Sequence, residues 1–124
     1  MTPLVFVALA LAGGLGAAAR FVLDGLIRAR AGSYPLGTFV INISGSFLLG
    51  LVTGLALSAV LPDAALLVIG SGFLGGYTTF STASIESVRL IQSRRYGIAL
   101  LSSVGMLVAA VLASAGGFLL GTVP

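Results

Sequence analysis

Few residues in this chain can do chemistry, and they lie in two places. The first is Gly72-Phe73-Leu74-Gly75-Gly76-Tyr77-Thr78-Thr79-Phe80-Ser81-Thr82-Ala83-Ser84, which follows an apolar run from Ala64 to Gly70. Gly72, Gly75 and Gly76 lower helix propensity by about 1 kcal/mol each. A helical pattern resumes at Phe80 and runs towards Arg89. The reading is a membrane span broken near its middle. Broken backbone at that depth must be buried in protein or line a wet cavity. Freed carbonyls can then hold a cation, and a new helix N-terminus can face an anion. A glycine kink made only for packing is the alternative. The second place is Asn42, the one amide well inside a span. It can donate two hydrogen bonds and accept others, so it is either glue between helices or a ligand contact. Arg20 and Asp24 stand four apart near the end of an earlier apolar run. They read as a local ion pair or as a cation at the mouth of an anion pathway.

The composition says what must position these groups. Of 124 residues, 58% are hydrophobic and 7% are charged, which describes a membrane protein. The length allows four spans of about 20 residues each with short connections. We therefore expect an all-α membrane protein with one four-helix transmembrane domain over residues 1–124. There is no cysteine and no histidine. Thiol chemistry and the commonest general base, proton relay and metal ligand are thereby removed. With no buried acid pair either, an enzyme is not expected. The net charge of +3 would suggest nucleic acid in a soluble protein. Here the arginines sit mostly between spans, which points to membrane topology instead.

In chain order, the first span runs from about Pro3 to about Ile27, and Arg28 to Pro35 form a turn. The second runs from about Leu36 to Leu61. Thr38, Asn42, Ser46, Gly50 and Gly54 recur along it at spacing four, a ridge on one face. Ser46, Gly50 and Gly54 suit close helix contact. Pro62-Asp63 makes a tight turn into the broken third span, which ends at Glu86 and Arg89. The fourth runs from about Ile98 to Leu120.

Two stretches resemble the CrcB/Fluc fluoride channels: Gly37-Thr38-Phe39-Val40-Ile41-Asn42-Ile43-Ser44-Gly45-Ser46-Phe47, and Gly72 through Thr82. The run Gly13-Gly14-Leu15-Gly16-Ala17, followed by Arg20, is similar to that family's first helix. The resemblance implies a passive fluoride channel in the bacterial cytoplasmic membrane that lowers fluoride toxicity. It implies an antiparallel dimer with two fluoride pathways and a structural sodium ion (Na+) at the dimer interface. Gly75 and Thr78 would offer carbonyls to that ion, and hard cations want oxygen ligands. Asn42, Ser81 and Thr82 would give fluoride N–H and O–H donors without a charge that traps it. Phe80 would turn the positive edge of its ring to the anion.

The chain also departs from the family pattern. Ala83 stands where a second Phe is usual. On the fourth-helix face of Ser102, Met106 and Ala110, only Ser102 is polar. A structural, largely non-conducting partner subunit is therefore the second reading. A small multidrug-type antiporter would want a carboxylate in the bundle, and Asp24 lies only at a span's end. The arginines suggest a fixed orientation. Arg28, Arg30, Arg89, Arg94 and Arg95 fall on one side, and the other side has no basic residue, only Asp63. That bias predicts one-way insertion with both termini outside, and pairing with a related but different subunit rather than a homodimer.

Overall fold

The computed structural model describes residues 1–32 and 35–123. Ser33 and Tyr34, inside the expected first turn, and Pro124 lie outside the described residues. Helix α1 spans Pro3–Ala31. Pro3 suits the first turn, and the Thr2 hydroxyl caps it by accepting from the Val5 N–H at 3.3 Å. The helix runs past the expected Ile27 to Ala31, taking in Arg28 and Arg30. Cations in a last turn suit the negative end of the helix dipole.

Helix α2 spans Leu36–Leu57, four residues short of the expected Leu61. Ala59 takes a φ of 58°, and the Val60 and Leu61 N–H groups both return to the Leu55 carbonyl. The chain folds back on the helix end, which closes it early. A short helix α3 (Asp63–Leu66) leads into a π-helical segment, Leu67–Leu74, and then α4 (Gly75–Tyr77). After Thr78 and Thr79, both with extended dihedrals, α5 spans Phe80–Gln92. Helix α6 spans Tyr96–Thr122. Counting Asp63–Gln92 as one passage, four helices among the described residues are long and apolar enough to cross a membrane.

The glycines do not act as expected. Propensity predicts that Gly72, Gly75 and Gly76 unwind the third span, yet all three lie in helical segments. Their role is close approach. A Cβ on Gly76 would fall onto the Gly13 carbonyl, and one on Gly16 onto the Phe73 carbonyl. Backbone thus meets backbone where α1 crosses the π segment and α4. A second seam joins α2 to α6, where Gly50 and Gly54 face the Ser114 and Phe118 carbonyls, and Gly117 faces that of Phe47. In lipid, such packing drives association, because the tails are as apolar as the side chains. That also explains a thin core: Ile41, Leu74 and Met106 are buried, while many Leu, Val and Phe side chains face outward.

The seams give a first test. Gly16→Val should destabilise the protein by about 1–3 kcal/mol or more, since the clash is with backbone that cannot rotate away. Gly14→Ala should be nearly neutral, because nothing lies within 4 Å of a Cβ there. Thermal unfolding of both variants in detergent checks the contrast.

Candidate functional site

The site is built on a clamp between α2 and the two extended residues. The Asn42 amide nitrogen donates to the Thr79 carbonyl at 2.8 Å. The Asn42 carbonyl oxygen accepts from the Thr79 N–H at 2.8 Å. One side chain thereby satisfies both backbone groups of a buried residue that has left the helix. The same nitrogen lies 3.4 Å from the Met106 sulfur, a weak acceptor.

The clamp frees other groups. A continuing helix would return the Thr79 N–H to the Gly75 carbonyl, but that N–H goes to Asn42. Extended Thr78 turns its own carbonyl out of helical register. Its N–H and hydroxyl both return to the Leu74 carbonyl, at 2.9 and 3.0 Å. Thr79 then caps α5: its hydroxyl accepts from the Thr82 N–H at 3.2 Å and donates to the Thr82 hydroxyl at 3.1 Å. The Ser81 hydroxyl shares a hydrogen bond with that of Thr79 at 3.2 Å.

These elements border a groove of about 630 Å³. Asn42, Gly45 and Ser46 line it from α2, and Gly75, Thr78 and Thr79 from the interrupted stretch. Phe80, Ala83, Ser84 and Ser87 line it from α5, and Ser103, Met106, Leu107 and Ala110 from α6. The Phe80 ring is 87% exposed. Most serine hydroxyls there are committed: Ser84, Ser87 and Ser103 each donate to a carbonyl of their own helix.

One turn along α2 from Asn42 lies a second polar contact. The Thr38 hydroxyl, buried, donates to Glu86 Oε1 at 3.0 Å. The Arg28 guanidinium lies 3.1 Å from Asp24 and 3.7 Å from Glu86. The α1–α2 contact is tight here, because a Cβ on Gly37 would meet the Asp24 carboxylate.

Of the residues singled out from sequence, Asn42, Phe80, Gly75 and Thr78 all border the one groove. Ser81 and Thr82 stand beside it, joined through the Thr79 hydroxyl. Ser102 is not among the lining residues, whereas Ser103 is. Arg20 does not pair with Asp24; among the described residues Asp24 pairs with Arg28. The sequence reading gave no role of their own to two contributors, Thr79 and Glu86. The signal for Glu86 is that it is the sole acid in α5.

Comparison with known proteins places the chain in a family. A family model for CrcB-like, camphor-resistance (CrcB) proteins matches residues 7–118. A protein of Leifsonia xyli subsp. xyli, named fluoride-specific ion channel FluC 1, is 60% identical over 98% of this chain and 89% of its own length. One of Cutibacterium acnes, named fluoride-specific ion channel FluC 2, is 48% identical over 90% of this chain and 93% of its own. One of Bifidobacterium longum, named fluoride-specific ion channel FluC 3, is 43% identical over 96% of this chain and 99% of its own. The match takes in all four apolar helices, and the chain is a multi-pass membrane protein that belongs to the CrcB-like family.

Proposed function

We propose that the chain is a subunit of a fluoride-specific channel that passes the ion down its gradient and so relieves the cytosol of fluoride. The observation that carries this reading is the Asn42 amide. One of its N–H groups holds the Thr79 carbonyl, and among the described residues the other has only the Met106 sulfur for a partner. That second N–H can turn to a small anion at little cost, because a thioether is a weak acceptor. Phe80, exposed at the border of the groove, and Ser81 and Thr82 at the start of α5 extend the path. The positive end of the α5 dipole adds to it. No fixed cation lines the groove, so fluoride is held by donors and then released.

The interruption at Thr78 and Thr79 belongs near the middle of the bilayer in this reading. The groove then needs a cover, since open backbone carbonyls do not suit lipid. A second subunit in antiparallel orientation supplies one. The Gly75 and Thr78 carbonyls, released by the Asn42 clamp, fit a structural sodium ion between the subunits. They are hard neutral oxygens, and no carboxylate lines the groove to call for a divalent ion.

A fluoride electrode outside liposomes loaded with fluoride tests the function. Reconstituted protein, with its partner subunit where one is needed, should release fluoride at least tenfold faster than empty vesicles. Chloride should not move. Correctly assembled protein that leaves fluoride trapped refutes the reading.

A further inference from the structure

The channel reading leaves four exposed arginines unused at one end of the bundle. Arg28 is engaged by Asp24 and Glu86. Arg30, Arg89, Arg94 and Arg95 are exposed, and among the described residues none is in an ion pair. Arg28 reaches Glu86, one turn before Arg89, so the last turns of α1 and α5 are joined by a side-chain contact at this end. Arg94 and Arg95 make the turn that leaves α5. The third acid of the chain, Asp63, begins α3 beyond the far end of α2 and cannot neutralise them.

Membrane orientation accounts for the sign of this charge but not for its backbone. Arg94 has a φ of 58°, in the left-handed region. The Ser93, Arg94 and Arg95 N–H groups return to the carbonyls of Arg89, Ile91 and Leu90 at 2.9–3.0 Å. This is the helix-ending turn in which glycine usually occupies the position of Arg94. A side chain there is strained, as it is at Ala59, which ends α2 by the same turn; at Arg94 the turn carries a guanidinium out of the bundle.

We propose that this end of the bundle binds the headgroups of anionic phospholipids such as phosphatidylglycerol, with Arg94 and Arg95 as the main contacts. A guanidinium matches a phosphodiester with paired N–H donors and sheds water more easily than an ammonium. The neighbours favour a lipid over a soluble anion. Tyr96 is 61% exposed directly after the arginines, the placement of an aromatic at the headgroup level. Val88 and Ile91, on the same stretch of α5, are about half exposed and offer acyl chains an apolar surface.

Native mass spectrometry of the assembled protein, titrated with phosphatidylglycerol, phosphatidylcholine or glycerol phosphate, tests the proposal. The wild type should hold phosphatidylglycerol at least tenfold more tightly than phosphatidylcholine at low salt. Arg94→Gly and Arg95→Gln should each weaken phosphatidylglycerol binding about fivefold, with binding of phosphatidylcholine unchanged. Arg94→Gly removes the strain as well as the charge, so its thermal stability in phosphatidylcholine should not fall below the wild type. Equal binding of the two lipids would overturn the proposal. So would a double variant that binds phosphatidylglycerol like the wild type. Glycerol phosphate that competes as well as the whole lipid would overturn it too, and would make this a soluble-anion site.

Discussion

Asn42→Ala should cut fluoride flux by roughly tenfold to a hundredfold in assembled protein. The estimate has two parts. A hydrogen bond to a charged group is worth about 1.5–3 kcal/mol, and each 1.36 kcal/mol at a barrier is a factor of ten. Losing one such donor from the path gives that range. The same change strips both partners from Thr79, which is 8% exposed. Unpaired buried groups cost about 1–3 kcal/mol, so the melting temperature should fall as well. Met106→Leu separates the two roles. It keeps both 2.8 Å bonds between Asn42 and Thr79 and removes only the weak sulfur acceptor. Flux through that variant should stay within a few-fold of the wild type. Flux and melting temperature measured on the same preparations decide the matter. Full flux through Asn42→Ala would mean that the amide serves only as a clamp.

The spans were legible because apolar runs, Pro3, Pro35 and the arginine turns mark them without tertiary information. The interruption was legible only in part. Glycine propensity drew the eye to Gly72, Gly75 and Gly76, but their helical cost is offset by backbone contact with α1. The extended residues are the threonines, because Asn42, 37 positions earlier, bonds Thr79. No local rule carries that pairing. Near misses came from periodicity. Stepping by four from Met106 reaches Ser102 and Ala110, while stepping by three reaches Ser103, which the 3.6-residue turn places on the groove. Asp24 stands four residues from both Arg20 and Arg28. An acid N-terminal to its base is the better orientation on a helix, and the pair with Arg28 is the one formed.

A reporter fused to the C-terminus should read entirely outside, and the chain alone should give little flux until a related subunit of opposite orientation joins it. Five arginines lie on the side of the first and third connections, and none on the side of the termini. Short loops so biased insert one way. A chain that makes its own antiparallel partner must insert both ways, and balanced loops would serve it better. The groove points in the same direction. Ala83, Met106 and Ala110 line it without an N–H or O–H donor, and Ser103 spends its proton on its own helix. A second subunit can bring the missing ring and hydroxyls to the open edge beside Phe80. In a pair of unlike chains, one pathway can lose its polar groups while the other conducts. Paired inside and outside reporters, followed by flux from this chain with and without the second subunit, decide between the two assemblies. A mixed reporter signal would refute the fixed orientation. Full flux from the purified chain alone would establish a homodimer.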